Sequence, residues 1–165
     1  MYILLYMTPL DRQTLSQASR CACFSLRKAS RAVTQLYDDA LRPAGLRATQ
    51  FSLLALLRLA GTVPMTRLAE EAVMDRTTLA RNLEVLQRDG LVRVQPGEDA
   101  RVREVEITRA GVARLEEAFP RWQRAQRSIA RSLGARRMER MLADLSAAVT
   151  ASEGARYPDS VTAEK

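Results

Sequence analysis

The sequence predicts a mainly α-helical fold with a small antiparallel β wing of two or three strands. Two observations carry this. Apolar residues recur at intervals of three and four over most of the 165-residue chain, the period of amphipathic helices. That rhythm breaks at residues 91–107, where two short β-type runs flank a loop rich in turn residues. The length suits one domain, or one with a dimerisation extension, and at this size a chain buries roughly 68–70% of its unfolded surface.

Residues 1–7 (MYILLYM) are apolar, with Thr8 and Pro9 directly after them. The run is far shorter than the ~20 residues of a membrane span, and it lacks the charged start of a signal peptide. Met7 is a second candidate initiator, and residues 1–18 are expected to be a flexible segment. The first helix places Leu26, Ala29, Val33, Leu36 and Ala40 on one face and stops at Pro43 and Gly45. Thr49 is the expected N-cap of a second helix. Its Phe51, Leu53, Leu54, Leu56, Leu57 and Leu59 make it apolar nearly all round, hence buried on most sides, and Gly61 ends it.

A short helix follows over residues 66–73, with Leu68, Ala69 and Ala72 as its apolar face. Asp75 is a good N-cap for a fourth helix over residues 76–88, and Gly90 is its expected stop. Two short helices joined this tightly read as a helix-turn-helix. Residues 91–94 and 102–107 then form strands around the charged loop 95–101 (QPGEDAR), which makes a wing. Thr108 caps a long helix over about 109–131, with Leu115, Phe119, Trp122, Gln126 and Ile129 at helical spacing and Pro120 inside it. After Gly134 a last helix carries Met138, Met141, Leu142, Leu145 and Val149. No periodicity remains from Gly154 onward, so residues 154–165 are expected to be a disordered tail.

This divides the chain into a first dimerisation helix (19–44), a winged helix-turn-helix (45–108) and C-terminal dimerisation helices (109–153). The striped terminal helices need a partner surface, either a second copy of the chain or the winged core itself. A second copy also suits a two-fold DNA site.

Lys and Arg total 26 against 19 Asp and Glu, a formal charge of +7, and every cation except Lys28 and Lys165 is Arg. Histidine is absent, which removes Ser-His-Asp, Cys-His and His-metal arrangements together. Two cysteines are too few for a disulfide scaffold or a Cys-only zinc site. No metal and no cofactor is expected, and no enzyme class finds its residues. The basic balance favours an acidic partner, nucleic acid first and an anionic membrane second. With no export signal, the expected compartment is the cytoplasm.

On a helical wheel Leu79, Leu83 and Leu86 of the fourth helix fall within about 60°, a buried stripe. Thr77, Arg81 and Arg88 lie opposite, with Thr78 beside them. Such a face suits the major groove: Arg binds guanine O6 and N7 bidentately, Thr bonds a base or packs on a thymine methyl, and phosphate favours the helix N-terminus. An ordinary solvated surface has the same composition, so the wing matters. An Arg at its tip can enter a narrow minor groove, and a carboxylate two residues away can pair with that guanidinium and hold it.

Residues 75–92 (DRTTLARNLEVLQRDGLV) followed by 99–111 (DARVREVEITRAG) closely resemble the MarR family of winged-helix transcriptional regulators, and residues 45–54 (GLRATQFSLL) look like its helix-1-to-helix-2 corner. The resemblance spans residues 19–149. It implies a homodimer with intertwined terminal helices, each protomer presenting one winged helix-turn-helix to half of a palindromic double-stranded operator. By position it makes Arg76, Thr77, Thr78, Arg81 and Asn82 the base-reading stretch, Arg101 the minor-groove residue and Asp99 its orienting partner; Arg88 and Arg103 complete the candidate DNA-binding set. Many members are repressors released by a small phenolic or lipophilic ligand, and others by thiol oxidation. Members that bind zinc use histidines, so no metal sensor is expected here.

Cys21 and Cys23 sit near the start of the first helix, about 200° apart on the wheel, so a disulfide between them requires that turn to unwind. Arg20, Arg27 and the helix N-terminus are placed to favour a thiolate. The bland alternative is two small buried hydrophobes. Tyr37, Phe119, Trp122 and Met138 are candidates for an apolar ligand pocket, or simply core. Rival classes are a thiol-based peroxide-consuming enzyme and an Arg-rich peripheral membrane protein; neither has a motif behind it, and no membrane partner is expected.

Overall fold

In the computed structural model, residues 15–16, 20–99 and 101–156 are described, and the chain divides into two units, residues 1–118 and 119–165. The expectations for residues 1–14 and 157–165, including the choice between Met1 and Met7, lie outside the described residues.

The first unit opens with α1 (Ala22–Leu41), followed by a 3₁₀ turn at Arg42–Ala44 that has Pro43 in its first half. Gly45 takes φ +69°, a left-handed conformation that costs glycine nothing and lets the chain reverse. Helix α2 (Ala48–Ala60) differs from expectation twice. Its N-cap is Arg47, not Thr49. The Arg47 amide donates to Gln50 Oε1 at 2.9 Å, and the Ala48 amide donates to Asp38 Oδ1 of α1 at 2.7 Å. An acid from a neighbouring helix thus satisfies an amide that a helix start leaves orphaned. The helix is also not buried all round: Phe51, Leu53, Leu54 and Leu57 are interior, whereas Leu59 is 86% exposed.

The winged region follows as β1 (Val63–Pro64), α3 (Met65–Glu71), α4 (Arg76–Arg88), β2 (Val92–Pro96) and β3 (Arg103–Ile107). The strands form one antiparallel sheet of order β1-β3-β2, with Val63 opposite Val105 and Val94 opposite the same residue on the other side. Between α3 and α4 the chain turns through Val73, whose φ of +50° is unusual for a β-branched side chain. The predicted stripe of α4 is inward: Leu79, Leu83 and Leu86 are buried, α4 packs on β2, and both α3 and α4 contact each other. Leu41, Leu53, Leu54, Leu57 and Val105 complete this core. Each such side chain contributes about 1.5–3 kcal/mol by leaving water.

A compact joint ties the wing to the helix that follows. Thr108 caps α5 (Arg109–Leu133) as the sequence suggests, its Oγ1 accepting from the Gly111 amide at 3.0 Å. The same hydroxyl donates to the Gly90 carbonyl at 2.7 Å, and the Thr108 amide donates to the Leu91 carbonyl at 3.0 Å. Two of these bonds therefore hold the end of β3 against the chain leaving α4, and the third caps α5.

Helix α5 runs on through Pro120 into the second unit, which also holds α6 (Ala135–Arg156). Gly134, at φ +81°, makes the break between them. Ala125 and Met138 are buried, while Leu142, Leu145 and Val149 are exposed along α6. Helix α6 continues through Gly154 to Arg156, so the disordered tail expected from residue 154 does not begin there. Glycine only weakens a helix by roughly 0.5–1 kcal/mol and does not forbid it.

Candidate nucleic-acid interface

Helix α4 begins where Asp75 places a side-chain acceptor at its N-terminus. Asp75 Oδ1 accepts the Thr78 amide at 2.9 Å and Oδ2 accepts the Thr78 hydroxyl at 2.6 Å. Those hydrogen bonds, side-chain first and then backbone, hold the Asp75 carboxyl below its ordinary range. They also commit the Thr78 hydroxyl proton to the cap. Asn82 is similarly engaged, its Nδ2 donating to the Thr78 carbonyl at 2.8 Å. Thr77 and Arg81 share the exposed face, one turn apart.

The wing is shaped differently from expectation. Asp99 Oδ1 accepts from the backbone amide of Arg101 at 2.9 Å, and the hairpin closes through Val102 N–H to the Asp99 carbonyl and Gly97 N–H to the Val102 carbonyl, each 2.8 Å. The expected pairing of the Asp99 carboxylate with the Arg101 guanidinium is not what the structure shows. Asp99 fixes the turn, and the turn presents an exposed Arg101 with its full charge. A carboxylate two residues before an amide closes such a local turn with less loss of side-chain freedom than a guanidinium pair would require.

The arginines of this surface fall into two groups. Arg88 approaches Asp89 at 3.4 Å, and Arg93 pairs with Glu106 across β2 and β3 at 2.9 Å. Among the described residues Arg76, Arg81, Arg101 and Arg103 are exposed and make no ion pair. Four uncompensated guanidiniums thus lie on the start of α4 and on the wing. A cleft of about 210 Å³ between these elements is lined by Arg76, Arg101, Arg103, Met65, Thr66, Leu79 and Val102. Met65 and Thr66 were not legible as site residues, because their place opposite the wing depends on the pairing of β1 with β3.

The other candidates separate. Cys21 and Cys23 are free thiols and both are exposed, so they are not the buried hydrophobes of the bland reading. Cys21 occupies the N-cap of α1, where the helical stripe has not yet started to bury anything. Tyr37 is half-buried, and burial pushes its phenol up from the ordinary value. Phe119 and Trp122 stack on each other in the second unit with centroids 5.4 Å apart, and Met138 is buried there. A further groove of about 770 Å³ runs between α1 and the start of α2, but charged and amide side chains line much of it, including Arg31, Asp38, Asp39, Arg42, Arg47 and Gln50. Among the described residues no cluster of Cys, Asp and Glu is arranged to hold a metal ion, and no helix is long and apolar enough to cross a membrane.

Residues 44–101, the span of the helix-turn-helix and most of the wing, match the model of the MarR family. Beyond that span, the chain is 47% identical to the Mycobacterium tuberculosis transcriptional regulator MosR, solved in complex with DNA. That likeness covers 80% of this chain and 98% of MosR with a TM-score of 0.71. The chain belongs to the MarR family. Escherichia coli MarR, solved with operator DNA, shares this MarR-family fold at 23% identity and a TM-score of 0.69, over 74% of this chain and 89% of that one. A curated relative, the HTH-type transcriptional regulator YwoH of Bacillus subtilis, is 25% identical over 103 residues, which are 62% of this chain and 75% of YwoH. The MarR-family likeness therefore reaches well past the winged region, and these relatives are transcriptional regulators rather than enzymes.

Proposed function

We propose that this protein is a sequence-specific DNA-binding regulator, acting in the cytoplasm as a homodimeric repressor of a palindromic operator. The observation that carries the reading is the set of four unpaired guanidiniums on the capped α4 and the wing. Arg88 and Arg93 beside them are paired with Asp89 and Glu106; these four, gathered on the capped helix and the wing, have no such acid and are left for an anionic partner. The DNA complexes of MosR and E. coli MarR support it. Arg81 reads a base in the major groove, Thr77 and the Thr78 methyl contact neighbouring bases, and Arg101 enters the minor groove.

Dimerisation is supported by exposed apolar residues on both terminal helices, Phe24, Leu26, Val33 and Leu36 on α1 and Leu142, Leu145 and Val149 on α6. Stripes of this kind on a small protein need cover. For release from DNA, thiol oxidation at Cys21 and Cys23 is favoured over a small lipophilic or phenolic ligand. Both thiols are exposed at the head of α1, next to its apolar face, whereas the groove between α1 and the start of α2 is lined largely by charged and amide side chains.

The test is selection of duplexes from a random pool by the full-length protein, followed by anisotropy titration of the selected sequence. Preference for a palindrome by at least 10³-fold over unselected DNA, in the range usual for specific regulators, is expected. Uniform binding of all duplexes would end the reading. Peroxide should weaken operator binding of wild type and leave Cys21→Ser unaffected; if both keep full affinity, the redox assignment falls.

A further inference from the structure

The cleft between the start of α4 and the wing has a composition that base reading does not explain. Its rim carries Arg76, Arg101 and Arg103, and its floor is apolar, from Met65, Leu79 and Val102, with the Thr66 hydroxyl beside them. Leu79 is fully buried, so the floor is part of the core and cannot move aside. None of the three guanidiniums has a carboxylate partner among the described residues. Three like charges on one small cleft repel one another, and a bound anion relieves that repulsion more strongly over an apolar floor than in open water.

The duplex itself supplies the anion. An α-helix fits the major groove, about 12 Å wide, whereas a wing-tip Arg enters the minor groove, about 6 Å wide. One sugar-phosphate strand always separates a major groove from the adjacent minor groove. A protein that places α4 in one and Arg101 in the other must therefore straddle that strand, and the gap between those elements is this cleft. The geometry points to a backbone seat: Arg76 and Arg103 grip a phosphodiester of the strand running between the two grooves, and Thr66 donates to the same linkage. On this assignment, which rests on the DNA-binding reading above, Arg76 is a positioning residue for the duplex and not a base reader. Sequence choice is left to Arg81, Thr77, Thr78 and Arg101. Phosphate contacts fix register without carrying sequence information, so a clamp here would set how deep α4 and the wing sit.

The experiment uses the full chain, a duplex it selects from a random pool, and an unselected duplex of equal length, titrated between 50 and 200 mM KCl. Each phosphate contact contributes about 0.9 to the slope of log affinity against log salt. Arg76→Ala and Arg103→Ala should each flatten that slope on both duplexes, and the double variant should flatten it by about 0.9 per bound protomer, the share of one phosphate. The ratio of selected to unselected affinity should stay within about two-fold. Arg103→Lys keeps a point charge but loses the planar fork, so it should retain the slope if the partner is phosphate and lose the preference if the partner is a base. A single neutral methylphosphonate, walked along the selected duplex, should flatten the wild-type slope at each contacted linkage, and at one of these per half-site it should also make Arg103→Ala silent.

An unchanged slope in both alanine variants, with wild type still preferring its selected duplex, overturns the clamp and leaves the DNA-binding reading standing. A changed base preference on Arg76→Ala overturns it likewise. Failure of wild type to bind any duplex removes both.

Discussion

Gly111 is the residue on which the joint between wing and helix depends. A Cβ added there would stand 2.1 Å from the Leu91 carbonyl oxygen and 2.8 Å from Ile107 Cγ1, closer than real Cβ contacts come. To accommodate alanine, the Leu91 backbone and the start of α5 must part by roughly 1 Å, since overpacked atoms in a dense interior have nowhere else to go. Leu91 is buried, and its carbonyl holds the Thr108 amide while the Gly90 carbonyl holds the Thr108 hydroxyl. A parting of that size breaks both. Two lost hydrogen bonds cost about 0.5–1.5 kcal/mol each, and overpacking adds about 1–3 kcal/mol. Alanine returns about 0.5–1 kcal/mol as the better helix former. Gly111→Ala should therefore destabilise the protein by about 3 kcal/mol. Urea unfolding reads this as a lower midpoint at unchanged slope. A midpoint equal to or above wild type would show that the helix start and Leu91 do not approach this closely, and the account of how the wing is held would fail.

Other outcomes follow from single residues. Arg81→Ala should cost about 1–3 kcal/mol in operator affinity and relax the preference at one base pair, whereas Arg101→Ala should cost affinity mainly on sites with A·T-rich flanks; equal effects on operator and random duplex would refute both roles. The Asp75 carboxyl is stabilised in its charged form by Thr78, so its folded pKa is lowered and its contribution to stability is present above the ordinary value of 3.8 and lost as pH falls through the folded value. Asp75→Ala should accordingly lower the melting temperature at pH 7, with the gap from wild type closing below about pH 4; a gap constant over that range would contradict the cap. Val73 holds a left-handed conformation that costs an L-residue about 1–2 kcal/mol. Because the side chain is exposed, Val73→Gly should raise stability by about 0.5–1 kcal/mol in thermal unfolding, net of glycine's own entropy.

Much of this molecule is written locally. The stripe Leu79, Leu83 and Leu86, the Asp75 and Thr108 caps, and the stops at Gly45, Gly61 and Gly134 depend on neighbours within a turn or two, so the sequence by itself determined them. It also determined the charge, the absence of histidine and the motif from Asp75 through the wing on which the family resemblance rests. The tertiary structure decided what distant segments do to one another. Asp38 moved the start of α2 to Arg47, and β1 exists only because Val63 and Pro64 meet Val105 and Glu104 some forty residues away. Leu59 shows the same limit, since a wheel counts apolar residues but does not know which face has a partner. At the candidate interface the residue types were legible and their division of labour was not. Which arginines stay unpaired depends on where Glu106 and Asp89 arrive, and Asp99 spends its carboxylate on a backbone amide. Short-range hydrogen bonds and periodicity set the elements; pairing across the fold set which charges are left to meet DNA.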